Sequence, residues 1–187
     1  MMHEKELTKK EKINLGTKEI AKRIRKQLKK EFPDCKFSVR IKRYSGGSSI
    51  TVSFMKADRK VKMDFDKIPQ GWFNRYLDIR SIEDLRKLQN EDYHQLNQHT
   101  LKQEYGGHWC NGVFLTRQGH LLLKRVVQIA DYYNYDDSDM MTDYYSVNFS
   151  FNIQLGKWDK PFIDGEGFKV DKQLEENIKQ RQEQILA

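Results

Sequence analysis

Lys22, Arg23, Arg25, Lys26, Lys29 and Lys30 crowd one short stretch of the chain, and Arg40, Lys42, Arg43 and Tyr44 follow closely. Ammonium and guanidinium groups at this density neutralise phosphates and release condensed counterions, which attracts nucleic acid irrespective of its sequence. A tyrosine beside them offers a ring for an unpaired base, worth about 1–3 kcal/mol. The chemistry these ten residues point to is binding of nucleic acid or of a partner that carries it. An acidic protein groove would use the same cations, and so would simple solvation of a basic helix.

A second constellation is acidic. Asp131, Asp136, Asp137, Asp139 and Asp143 fall within thirteen residues that hold no Lys or Arg. Carboxylates this close can hold magnesium, and Mg2+ on Asp136, Asp139 and Asp143 would permit phosphodiester chemistry. EF-hand spacing and its closing glutamate are missing, and Asp and Asn also favour turns. A turn leading into the next strand is the plainer reading, with no cofactor expected. His94 and His99 lie five apart, missing the four-residue spacing of paired helical metal ligands, and His108 and His120 stand alone. Tyr44-Ser45-Gly46-Gly47-Ser48-Ser49 has the glycines and hydroxyls of a phosphate cradle. It leads from strand to strand rather than into a helix, so the hairpin reading is the stronger. No G-x-S-x-G, Walker or paired Cys-His signature occurs, and the sequence leaves open whether the protein is an enzyme.

The elements that must position these residues follow from composition and pattern. The 187 residues are 37% apolar and 33% charged, yet include ten Phe, nine Tyr and three Trp. Disordered chains are poor in aromatics. The expectation is a flexible basic arm over 1–16 and a single α+β domain over 17–187. No stretch approaches the roughly 20 apolar residues of a membrane span. The amino terminus lacks the apolar core of a signal peptide, so a cytoplasmic place in a bacterial host and no membrane partner are expected. Cys35 and Cys110 form neither a metal spacing nor a disulfide framework. Residues 1–62 carry 19 Lys+Arg against 7 Asp+Glu, or +12, and the rest of the chain balances at −5. That asymmetry suggests a polyanion partner for one face.

Ile20, Ile24, Leu28 and Phe32 repeat every four residues after Thr17, which predicts an amphipathic helix capped by Thr17 and ended by Pro33. Phe37, Val39 and Ile41 alternate with Ser38, Arg40 and Lys42, and Ile50, Val52 and Phe54 resume the alternation, so the opening unit reads α-β-β. A third strand is expected near 60–65, and a long exposed helix over 81–104. Thr116 should cap another helix that turns Leu122, Val126 and Ile129 inward, with Gly119 weakening its first turn. Tyr145 to Leu155 alternate strictly and predict a late antiparallel strand. Residues 157–170 read as loop and 171–185 as a polar terminal helix. The fold expected is an antiparallel sheet with helices packed on one face.

Two segments carry a family likeness. Phe32-Pro33, Lys36 to Val39 and Tyr44 to Ser49 form one block, and Tyr133 to Asp139 with Thr142 to Tyr144 form another. With these the chain resembles the large polyvalent protein-associated domains of phages, plasmids and integrative elements. In its size it is also similar to small anti-CRISPR proteins of Gram-positive mobile elements. That resemblance implies inhibition of a type II CRISPR effector nuclease through its guide RNA complex, linked to truncation of the guide. A nucleic-acid-binding accessory protein of the element, or a metal-dependent nuclease, are the alternatives.

Overall fold

In the computed structural model, which describes residues 7–74, 81–106, 109–135, 141 and 147–165, a short helix α1 (Lys9–Asn14) precedes α2 (Thr17–Glu31). Ile20, Ile24 and Leu28 of α2 are fully buried, as the four-residue repeat predicts. Phe32 closes the helix by donating its N–H to the Leu28 carbonyl, and Pro33 cannot extend the ladder. The start differs from expectation. Gly16 takes the cap position and Thr17 is already helical, because the Thr17 hydroxyl is engaged by Ser48 of the neighbouring hairpin at 2.9 Å. Within the expected arm, Thr8 and Glu11 form a capping box on α1, and the Leu7 N–H donates to the Tyr132 hydroxyl at 2.9 Å.

β1 (Lys36–Tyr44) and β2 (Gly47–Lys56) pair antiparallel around a two-residue turn, completing the α-β-β unit. The chain then forms a 3-10 turn (Phe65–Lys67), α3 (Gln70–Phe73), α4 (Ile82–Asn90), β3 (His94–Leu96), α5 (Gln98–Lys102), α6 (Arg117–Asp131) and β4 (Ser150–Leu155). The strand order is β1-β2-β4-β3. Helices and one open sheet make the fold α+β, and two of the three pairings are antiparallel as expected. The central pairing is not: β4 runs parallel to β2, with Ser49 opposite Ser150 and Phe54 opposite Leu155. The chain between them crosses over through α6, and a crossover returns the strand in its original direction.

One face of the sheet is apolar. Val39, Val52, Phe54 and Ile153 join Ile24 of α2 and Val126 of α6 in a single buried cluster. Thr116 caps α6 as expected, its hydroxyl accepting from the Gly119 N–H at 3.0 Å. Gly119 does more than weaken a turn: a Cβ there would lie 2.5 Å from the Val61 carbonyl oxygen, so the close approach requires glycine.

Two expectations for the middle are corrected. Residues 60–65 do not form a strand; Lys62 makes one bridge to Leu115 before the 3-10 turn. The Asp164 carboxylate accepts the N–H groups of Val61 (2.7 Å) and Lys62 (3.1 Å), replacing a strand neighbour. Residues 81–104 divide into α4, β3 and α5 instead of one long helix. Gln89 is buried there, donating to the Met63 and Phe114 carbonyls and accepting from the Phe114 N–H, which anchors the end of α4. Asn97 then caps α5. Of the late strand expected over Tyr145 to Leu155, only Ser150–Leu155 forms among the described residues, and Val147, expected to face inward, is exposed. The residues before Val147, the terminal helix over 171–185 and part of the loop before it lie outside the described residues. No helix among those described is long and apolar enough to cross a membrane.

Candidate nucleic-acid interface

α2 carries its cations in two rows, because residues three and four apart share a helix face. Lys22, Lys26 and Lys30 stand four apart and, with Arg23, form one wall of a groove of about 950 Å³ between α2 and α6. Gln128, Ile129 and Tyr132 line the groove from α6 and its end, with Arg125. Arg125 holds Glu31 through two bonds of 2.7 and 2.8 Å, which keeps the Glu31 carboxyl below its ordinary range. Arg23 pairs with Glu19 at 3.1 Å.

Arg25 and Lys29 form the other row and flank β1, the edge strand. Arg25 Nη2 donates to the Val39 carbonyl at 2.7 Å, satisfying an acceptor for which an edge strand has no neighbour.

Strand alternation divides the remaining four residues. Arg43 shares its face with Val39 and Ile41 and lies opposite Ser48, beside the start of α2. Arg40, Lys42 and Tyr44 point to the opposite face, which no described helix covers. The ten residues therefore do not form one patch; the sheet separates the helix rows from Arg40, Lys42 and Tyr44, and the two sets meet only around the β1 edge. Nine of the ten are exposed, and Arg23 is half-buried. Lys22, Lys29, Arg40, Lys42 and Arg43 form no ion pair with any described residue. Tyr44 is 50% exposed, and its hydroxyl meets Ser150 Oγ at 3.2 Å.

The other sequence candidates resolve differently. Asp136, Asp139 and Asp143 lie outside the described residues; Asp131 is paired with Lys102 at 2.7 Å. Among the described residues, no three His, Cys, Asp or Glu side chains converge in a way that could hold a metal ion. His94 is buried in β3, with Nε2 at 2.8 Å from the Glu91 carbonyl, while His99 lies in α5. Burial, then the Lys62 charge, pushes His94 down to about 4. Cys35 donates to Asp58 at 3.2 Å, and burial raises its thiol to about 11, far from a reactive thiolate.

Sequence reasoning missed one pair. Lys157 extends Nζ onto Ser38 Oγ at 2.8 Å, on the same face of the sheet as Arg40, and Trp158 beside it is 87% exposed. The signal was there to find: a Trp between Lys157 and Lys160 in a segment bounded by Gly156 and Pro161 is an aromatic at the tip of a basic turn.

Residues 15–118 match the family described as Large polyvalent protein associated domain 29. The match spans the basic helix, the hairpin and the start of α6, and leaves β4 and the acidic segment outside it. No curated protein and no solved structure matches the chain.

Proposed function

The chain belongs to the large polyvalent protein associated domain 29 family, which makes it a mobile-element-associated protein, and from that premise we propose that it is a counter-defence protein acting on a type II CRISPR effector. It works in the cytoplasm of the bacterial host, docking on the effector–guide RNA complex through its basic helix, and truncation of the guide RNA accompanies inhibition. The observation that carries this reading is the exposed row Lys22, Lys26 and Lys30 along a groove of about 950 Å³. Charges spaced along a helix suit a partner whose own charges repeat along a backbone. No cofactor is needed for docking of this kind.

The test is co-purification of the protein with a type II effector loaded with guide RNA at moderate salt, alongside a DNA cleavage assay. The expected result is a stable complex, reduced cleavage, and loss of both in the triple variant Lys22→Ala, Lys26→Ala, Lys30→Ala. Absence of a complex together with undiminished cleavage rejects the proposal.

A further inference from the structure

The face of the sheet that no described helix covers carries cations, hydroxyls and amides in register. Register places Ser38, Ser53 and Gln154 in one row across it, Arg40, Thr51 and Asn152 in the next, and Lys42, Ser49 and Ser150 in a third. Every side chain in these rows is a cation, a hydroxyl or an amide; none is a carboxylate. The rows are also organised: Gln154 Nε2 donates to Ser53 Oγ at 2.8 Å, and the Tyr93 hydroxyl donates to Gln154 Oε1 at 3.4 Å.

Aromatic rings stand at both ends. Tyr44 closes one end, over Ser150. At the other, Gly156 turns the chain with φ +65°, a conformation that favours glycine, and the turn Lys157–Lys160 follows with Trp158 in it. Lys157 reaches back onto Ser38, so the turn is tied to this face. Six residue steps along β1 lead from Ser38 to Tyr44, roughly 20 Å of extended strand.

Two cations sit close together here without a carboxylate in the rows. Lys157 is held below its ordinary range by burial and then by the neighbouring Arg40 charge, with Asp159 offsetting only in part. Like charges fixed side by side are relieved by a bound anion.

We propose that this face docks single-stranded RNA, with Arg40, Lys42 and Lys157 on the phosphates, the accessible hydroxyls and amide of Ser49, Thr51, Ser150 and Asn152 on ribose and base edges, and Trp158 stacking on an unpaired base, while buried Ser53 only braces Gln154. A duplex hides its base faces, whereas an open strand presents them to an aromatic. The 2′-hydroxyl both donates and accepts, as do the Ser, Thr, Asn and Gln side chains that line the rows. This deepens the RNA reading of the proposed function, but it rests on side chains across the sheet from the α2 groove, so each can fail alone.

The experiment is fluorescence anisotropy of the purified protein with a labelled, unstructured oligoribonucleotide in the absence of any effector. Trp158→Ala and the double variant Arg40→Ala, Lys42→Ala should each weaken binding about tenfold, while Trp158→Phe keeps most of the affinity. All three are surface changes, and an unchanged melting temperature confirms the fold in each. Single-stranded DNA of the same sequence and the RNA duplex should bind more weakly. Wild-type affinity in Trp158→Ala and the double variant, or equal binding of either competitor strand, overturns the proposal. Retained RNA binding in Lys22→Ala, Lys26→Ala, Lys30→Ala, alongside loss of effector binding, separates this face from the groove.

Discussion

Residues 22–43 and residues 59–67 are both dense in Lys and Arg, but the first stretch holds most of its cations out in solvent and the second ties its own to carboxylates and carbonyls of the fold. In the second, Arg59 grips Asp58 at 2.6 and 2.8 Å and drives that carboxyl down to about 2. Lys60 bridges Asp64 (2.9 Å) and Asp164 (3.7 Å), Lys67 also holds Asp64 at 3.0 Å, and Lys62 donates to the Glu91 carbonyl at 2.7 Å. In the first, Arg23 pairs with Glu19, Glu31 is occupied from across the groove by Arg125, and Lys22, Lys29, Arg40, Lys42 and Arg43 pair with no described residue. What separates the stretches is where carboxylates and carbonyls fall relative to the cations. The +12 of residues 1–62 therefore overstates the charge available to a partner, since three of those cations, Arg59, Lys60 and Lys62, hold the fold.

The sharpest way to test this contrast is through pH, because His94 lies in the field of the second stretch. Its pKa is depressed to about 4, while the unfolded chain protonates it near its ordinary value. Between those values the unfolded state carries the extra proton, so stability is complete above about 6.5 and falls as pH drops towards 4, by about 3 kcal/mol across the window. Urea midpoints at pH 7 and pH 4.5 measure it. The wild-type protein should lose stability over that interval and His94→Gln should lose far less; Lys62→Met should narrow the loss. Equal pH sensitivity in wild type and His94→Gln contradicts the assignment.

A smaller effect is expected at Asp164, whose carboxylate receives two backbone N–H groups and faces Lys60. Asp164→Ala leaves the N–H of buried Val61 without its acceptor and should cost about 2 kcal/mol in thermal unfolding, with polyanion binding unchanged. The smallest change in stability belongs to the first stretch. Lys22→Ala, Lys26→Ala, Lys30→Ala should melt within about 0.5 kcal/mol of wild type. A large loss there would mean that these lysines hold the fold as Lys60 does, and the contrast between the stretches would disappear.

The first stretch was legible in sequence because its periods are local. Ile20, Ile24 and Leu28 mark a helix, Phe37 to Ile41 mark a strand, and both form where the pattern puts them. The second was not, because its partners are distant: Asp164 lies about a hundred positions from Val61, and no local pattern announces that a carboxylate will replace a strand. The parallel β2–β4 pairing was hidden for a related reason, since alternation within Phe149 to Leu155 reports a buried face and not the direction of a neighbour. The interface was half legible. Alternation separates Arg40 and Lys42 from Ile41, but only the packing of α2 on the Ile41 side reveals that the sheet divides them from the helix rows. Trp158 became visible through Lys157, whose reach to Ser38 depends on β4 ending beside β2, one strand away from β1.

The central claim is that cations of the first stretch, and not those of the second, meet phosphate. Its most direct test is the salt dependence of binding to the guide-RNA-loaded effector, measured for three proteins: wild type, Lys22→Ala with Lys26→Ala and Lys30→Ala, and Lys60→Ala with Lys67→Ala. The slope of log K against log salt should shrink by about 2 in the α2 variant and stay at the wild-type value in the other. Equal slopes in all three, or a loss confined to the Lys60 and Lys67 variant, would contradict the account.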